Sequence, residues 1–114
     1  MGANASRGDV WQVDLDPVRG HEQGRRRPAV IVSTDRINHG PSDMVVVVPV
    51  TSRARPVPTF VRIHPSEAGL SVVSYAICDQ PRAISKERLV RRYGMVGQRT
   101  LSDIEDRLRL VLNL

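Results

Sequence analysis

Two segments of the chain concentrate side chains that could act on a phosphate group. The stretch from Asp14 to Pro28 carries four arginines, one histidine and three carboxylates between two predicted strands. Further on, Thr51, Ser52 and Arg53 place two hydroxyls and a cation where a buried strand is predicted to end. A guanidinium fork matches the oxygens of a phosphate, and a side chain at a strand end is held rigidly yet stays open to a ligand. These two segments are therefore the candidate site.

The same residue types are the ones that RNA cleavage through the ribose 2′-hydroxyl requires. When that hydroxyl attacks the adjacent phosphorus, negative charge builds on the phosphorane oxygens, and arginine and hydroxyl donors stabilise it. A carboxylate or imidazole then accepts the 2′ proton and a second group protonates the leaving 5′ oxygen, for which Glu22, His21 and His64 are the candidates. The alternative is that Glu22 and the loop arginines form only solvated ion pairs, which contribute little.

The order and spacing of these residues resemble the N-terminal signature of the MazF/PemK family of toxin endoribonucleases. The matching positions are Gly8, Asp9, Asp14, Leu15, Pro17, Gly20, Glu22, Gln23, Arg27, Pro28, Val50, Thr51 and Ser52. The similarity continues to the last helix through Gly69, Leu70, Asp79, Gln80, Ile84, Arg88, Leu89 and Gly94. It covers almost the whole chain.

The resemblance implies a mainly β fold: an SH3-like, partly open barrel of the CcdB/PemK type with a C-terminal helix. It also implies that the chain is the toxin component of a type II toxin-antitoxin system. Such a toxin is expected to be a sequence-selective endoribonuclease that cleaves single-stranded RNA by 2′-hydroxyl attack, without a metal or other cofactor. The implied partners are single-stranded RNA, a cognate antitoxin and a second copy of the chain. In the implied homodimer, RNA lies in a groove at the interface.

Matched position by position, the resemblance places the catalytic arginine at Arg27 and the catalytic threonine at Thr51. Because a guanidinium is effectively never deprotonated, Arg27 is expected to stabilise the phosphorane or donate a proton rather than act as a base. The residues expected to bind RNA or support the site are Glu22, Gln23, Arg25, Arg26, Ser52, Arg53 and Gln80.

The elements that must position these residues are mostly strands. Seventeen valines and six isoleucines far outnumber eight leucines, and β-branched side chains favour a pleated sheet. Apolar alternation and turn residues predict strands over 9–15, 29–33, 44–50, 59–64, 72–78, 82–84 and 90–96 in a single domain of residues 1–114. Pro49 suggests an edge or a bulge. Ser102 and Glu105 predict a capping box at the start of one C-terminal helix that covers a side of the sheet.

Composition narrows the class of protein further. The net charge is +5, and sixteen of the seventeen basic residues are arginines, which makes a polyanionic partner plausible, although the base composition of the genome could also enrich arginine. With 4% aromatic residues, a base-stacking platform is not expected, so RNA specificity should come from hydrogen bonds. The polar N-terminus and the absence of a long apolar run favour a cytoplasmic protein without a membrane segment.

Metal and thiol chemistry are the weaker interpretations of single residues. The lone Cys78 excludes an internal disulfide framework and, lying among apolar residues, is expected to be a buried inert thiol. Asp14 and Asp16 could suggest a metal pair, but carboxylates so placed more often fix a loop by hydrogen bonds. No metal ligand set is expected.

Two other functions remain open for the same fold. One is a gyrase-directed toxin like CcdB, which relies on a C-terminal Trp-Gly-Ile, whereas this chain ends in Leu112, Asn113 and Leu114. The other is a non-catalytic barrel that binds RNA or protein.

Overall fold

The computed structural model describes residues 4–15, 20 and 25–114 of this 114-residue chain. Within them, the strands are β1 (Asp9–Asp14), β2 (Arg26–Ile31), β3 (Met44–Thr51), β4 (Phe60–Ile63), β5 (Ser74–Ile77), β6 (Arg82–Ser85) and β7 (Leu89–Met95). The helices are α1 (Asp35–Asn38), α2 (Pro65–Ala68) and α3 (Gln98–Leu112), with a turn of 3₁₀ helix over Lys86–Arg88. The predicted mainly β class with a C-terminal helix is confirmed.

Strand β3 organises the antiparallel sheet, whose order is β4-β5-β3-β2-β1-β7, with β6 beside the first half of β3. Residues Met44 to Val47 pair with β6, whereas Val50 and Thr51 pair with β5. Pro49 lies between these two stretches, at the point where β3 changes its neighbour on that side. The prediction of an edge is therefore wrong: Pro49 is buried in the central strand, and its missing N–H coincides with the gap between β6 and β5.

The sheet is buried on both faces, because alternate residues of its central strands enter two different cores. One core contains Val10, Val30 and Val48, together with residues of β4, β5 and α3. The other contains Trp11, Ile31 and Val47, together with Ile84 of β6 and Leu89 of β7. The uninterrupted apolar run of β3 thus reflects a strand that contributes side chains to both cores.

Helix α3 covers one face of the sheet as predicted, but it begins a turn earlier than the capping box suggested. Its N-cap is Gly97, which leaves Ser102 exposed inside the helix. The Gly97 N–H donates to Glu67 Oε1 of α2 at 2.9 Å, so the helix N-terminus is satisfied by a residue distant in sequence. Glu105, the second predicted capping residue, instead forms an ion pair with Arg7.

Close backbone contact between α2 and β7 depends on Gly69. This residue ends α2 in the left-handed conformation, with φ 67°. A Cβ at this position would lie 2.3 Å from the Tyr93 carbonyl oxygen. Gly69 therefore satisfies two separate requirements, a positive φ and the absence of a side chain.

We predict that Gly69→Ala lowers the free energy of unfolding by roughly 2–5 kcal/mol, because left-handed strain and displacement of the Tyr93 carbonyl add together. Gly20→Ala is the matched control: its φ is 63°, but nothing lies within 4 Å of the added Cβ. That control should cost only about 1–2 kcal/mol. Urea denaturation measures both values, and equal losses would show that the contact with Tyr93 does not contribute.

Candidate functional site

Arg27 enters the site from β2, where it pairs with Val13 of β1. Pro28 disfavours the helical conformation for the preceding residue, and Arg27 is accordingly extended. Pro28 itself pairs with Gln12, while the pairing of β2 with β3 begins only at Ala29, so the missing proline N–H costs no bond to β3. Arg27 is half-buried, and this burial lowers the pKa of its guanidinium from the ordinary value while leaving it charged at neutral pH.

The backbone that leads into Arg27 is fixed from several directions. Leu15 N–H donates to the Arg25 carbonyl at 3.0 Å and closes the base of the β1–β2 connection. Arg25 has a φ of 61°, a left-handed conformation that is uncommon outside glycine. The carbonyls of Leu15 and Asp14 accept hydrogen bonds from the guanidinium groups of Arg82 and Arg88, each at 3.0 Å.

Thr51 enters the site at the end of β3, where it pairs with Tyr75 of β5. Its Oγ1 accepts a hydrogen bond from the Arg53 backbone N–H at 3.2 Å. This contact is typical of a hydroxyl that stabilises the turn after a strand. Because the backbone occupies one lone pair of the oxygen, the half-buried Thr51 hydroxyl is oriented before any ligand arrives.

Both segments meet in one cleft of about 750 Å³, within the range of pockets that hold small ligands. Five residues predicted for the site line it: Arg27, Thr51, Ser52, Arg53 and Gln80. The other lining residues are Pro28, Val50, Arg55, Val57, Phe60, Leu70, Ser71, Val72, Ser74 and Asp79. Three arginines and one carboxylate thus face a groove with partly apolar walls, an arrangement suited to an anion attached to less polar groups.

The structure does not bring every predicted residue into the cleft. Arg25 and Arg26 are exposed and are not among the residues that line it. Glu22 and Gln23 lie outside the described residues, as does His21. His64 is exposed and caps α2, where Nδ1 lies 3.3 Å from the Ser66 backbone N–H, so this proposed proton-transfer group is placed outside the cleft.

Sequence reasoning missed the far wall of the cleft. Phe60 and Val72 are apolar residues that no local pattern distinguishes from core residues, whereas Leu70 is a position that matches the MazF/PemK pattern. Asp79 carried a usable signal, since it stands beside Gln80 within the stretch that resembles the MazF/PemK pattern. It places a carboxylate in an otherwise basic cleft.

Thiol and metal chemistry find no support near this cleft. Cys78 is fully buried, and burial raises the pKa of its thiol to about 12, which keeps it protonated at neutral pH. Among the described residues, no group of three or more His, Cys, Asp and Glu side chains is arranged to hold a metal ion. No helix in the described part of the chain is long and apolar enough to span a membrane.

A sheet buried on both faces, a terminal helix and an arginine-rich cleft at the end of the central strand define a small β protein whose cleft suits an anionic ligand. Residues 6–112 match the model of the PemK-like, MazF-like toxins of type II toxin-antitoxin systems. The chain belongs to this family.

Curated relatives and solved structures agree with that assignment. Over 113 residues, 95% of this chain and 96% of the relative, the chain is 42% identical to endoribonuclease MazF9 of Mycobacterium tuberculosis. It is 34% identical to endoribonuclease MazF of Staphylococcus saprophyticus over 110 residues, 95% and 91% of the two chains.

Among solved structures, MazF of Deinococcus radiodurans superposes with a TM-score of 0.86 at 26% identity, covering 98% of this chain and 99% of that one. A mycobacterial endoribonuclease in complex with its cognate antitoxin superposes with a TM-score of 0.80 at 28% identity and covers 96% of each chain.

Proposed function

We propose that this toxin is a sequence-selective endoribonuclease that cleaves single-stranded RNA in the cleft by 2′-hydroxyl attack, without a metal ion. The observation that carries the proposal is the convergence of Arg27 from β2 and Thr51 from β3 on one basic cleft. The two curated relatives are named endoribonucleases, which favours RNA cleavage over the gyrase-directed and non-catalytic alternatives.

Arg27 stabilises the negative charge that develops on the phosphorane oxygens. Partial burial supports this role, because a cation with few water molecules around it interacts more strongly with a nearby anion. A guanidinium also cannot serve as the base, so the acceptor of the 2′ proton is a different group. With His64 placed at the cap of α2, Glu22 and His21 remain the candidates for proton transfer.

Thr51 donates its hydroxyl hydrogen to a phosphate oxygen. The Arg53 N–H already bonds to Oγ1, which leaves the hydroxyl hydrogen for a ligand in the cleft. Donors that are positioned before the reaction lose little free energy to reorganisation when charge develops. Ser52 and Arg53 extend this donor group along the same turn.

The choice of RNA bases depends on hydrogen bonds rather than on stacking of the bases on aromatic side chains. Gln80 offers both a donor and an acceptor to a base edge, and Gln23 supports the same task from the β1–β2 connection. Phe60 is the aromatic residue among those that line the cleft. Arg25 and Arg26 assist from outside the cleft as auxiliary phosphate contacts.

The active form is a cytoplasmic homodimer that a cognate antitoxin inhibits. Leu110, Leu112 and Leu114 at the end of α3 are exposed, and a symmetric interface would bury such apolar surface. The mycobacterial relative solved with its cognate antitoxin supports the second partner. An acidic, largely disordered antitoxin segment that folds on binding would compete with RNA for the positive cleft.

The function is tested by incubating the protein with a long RNA in EDTA and mapping the ends of the products. We expect cleavage to survive chelation, and the fragments to carry a 2′,3′-cyclic phosphate or 3′-phosphate and a 5′-hydroxyl. An otherwise identical substrate with deoxyribose at the cut position should be inert, because the nucleophile is missing. Loss of activity in EDTA, or cleavage of the deoxy substrate, would contradict the mechanism.

Replacing Arg27 should remove the guanidinium that β2 places in the cleft. We expect Arg27→Ala to lower the cleavage rate by at least about 10²-fold, the typical effect of losing one donor to a developing oxyanion. Arg25→Ala removes the same charge from an exposed position outside the cleft and should reduce the rate much less. Single-turnover cleavage of one oligonucleotide compares them, and equal losses would refute the role of Arg27.

The role of the Thr51 hydroxyl can be tested with two substitutions, one that keeps the hydroxyl and one that removes it. Thr51→Ser retains the hydroxyl and should keep most of the activity, whereas Thr51→Val preserves the shape and removes the donor. The same single-turnover assay measures both variants, and their urea midpoints check that folding is intact. Normal cleavage by Thr51→Val would show that the hydroxyl is not needed.

Sedimentation at micromolar concentration tests assembly. We expect a dimer of about twice the 12.7 kDa chain mass. Leu112→Glu, which places a charge on exposed apolar surface, should shift the protein toward monomer and reduce cleavage. A wild-type monomer that still cuts RNA would disprove the dimer groove.

A further inference from the structure

The face of the sheet to which Pro28 of the cleft belongs also carries a row of side chains that the proposed reaction does not use. Pro28 lines the cleft, Gln12 is its partner on β1, and Arg91 is the partner of Gln12 on β7. Directly paired residues of neighbouring strands project to the same face of a sheet. Two strand spacings, about 10 Å, separate Pro28 from Arg91, so the row runs from the cleft across the sheet.

Strand alternation places the two adjacent arginines of β7 on opposite faces, and two register shifts decide which face each one takes. The register of β7 against β1 shifts between Val10 and Trp11, and again between Gln12 and Val13. Arg92 pairs with Trp11 and its Nε lies 3.2 Å from Oδ1 of the buried Asp9, so its charge is used inside the fold. Arg91 pairs with Gln12 and shares the face of Gln12 and Pro28, where its side chain is exposed.

The ring of Tyr93 holds the Arg91 guanidinium in place. The guanidinium carbon lies 5.0 Å from the ring centroid, within the range of a cation–π contact. Tyr93 is half-buried and packs against the same core as Leu70, which lines the cleft. Gly69 brings its backbone against the Tyr93 carbonyl, so the cleft wall and this ring form one rigid unit.

We propose that Arg91, held over Tyr93, binds a phosphate of the RNA at a point beyond the cleft. Gln12, Arg91 and Tyr93 together form a surface, the flank strip, that follows the path of the RNA. The proposal rests on the proposed function. The ligand is a phosphate rather than a stacked base, because the guanidinium already occupies one side of the ring while its outward N–H groups remain exposed. RNA fits better than an acidic peptide, because the row is continuous with the cleft that takes the scissile phosphate.

The test compares two RNA substrates that share one cut site. One is the shortest oligonucleotide that the wild-type toxin cleaves, and the other is the same sequence extended on both sides. Arg91→Ala should raise KM several-fold on the extended RNA, leave kcat unchanged, and leave both constants unchanged on the short RNA. The slope of log KM against log salt for the extended RNA should fall by about 0.7, the value for one phosphate contact on a single strand. Arg99→Ala, which removes an exposed arginine of α3, is the charge-matched control and should match wild type on both substrates.

The outcomes separate this inference from the proposed function. If wild-type toxin cleaves RNA and Arg91→Ala behaves like Arg99→Ala on the extended substrate, the flank strip is disproved while the function stands. If Arg91→Ala loses activity equally on both substrates, or unfolds at a lower urea concentration than Arg99→Ala, Arg91 is structural and the proposal is overturned. If wild-type toxin cleaves nothing, the proposed function fails, and fluorescence anisotropy with labelled RNA still decides whether Arg91→Ala weakens binding.

Discussion

The structure depends on one strand, β3, that is buried on both faces and changes its neighbour partway along. Valines at alternate positions fill two cores, and Pro49 lies where the pairing with β6 stops and the pairing with β5 has not begun. The sheet divides at that point into two parts that share β3. The far end of the same strand leaves the sheet at Thr51, so the strand that organises the cores also sets the position of a proposed catalytic hydroxyl.

Four arginines outside the cleft make structural contacts that composition alone does not reveal. Arg82 and Arg88 donate to carbonyls at the end of β1, and Arg92 pairs with Asp9, whose other carboxylate oxygen accepts from the Ser6 backbone and the Trp11 indole. Arg7 contacts the Val32 carbonyl and Glu105, and its backbone N–H holds the pKa of the Asp35 carboxyl below the ordinary value. The count of seventeen basic residues therefore overstates the number of cations positioned to contact a nucleic acid.

The cleft and the flank strip differ in how they hold their arginines. Arg27 is placed by strand pairing, a following proline and partial burial, whereas Arg91 is placed by a register shift and by the ring of Tyr93. Both arrangements restrict the arginine side chain before it binds, so less conformational entropy is lost when it contacts a phosphate. Arg25 and Arg26 are exposed and do not line the cleft, in keeping with an auxiliary role.

The sequence by itself predicted the strands, the family and five residues that line the cleft, Arg27, Thr51, Ser52, Arg53 and Gln80, because alternation, proline effects and short-range motifs are local properties of the chain. Only the tertiary structure decided the start of α3, since Glu67 caps it from another helix, and the central place of Pro49. It likewise decided the apolar wall of the cleft and, through the register shifts of β7 against β1, which face of the sheet Arg91 and Arg92 each occupy. Each of these depends on which segments become neighbours in the folded chain, and pairing between distant segments leaves no periodic signal in the sequence.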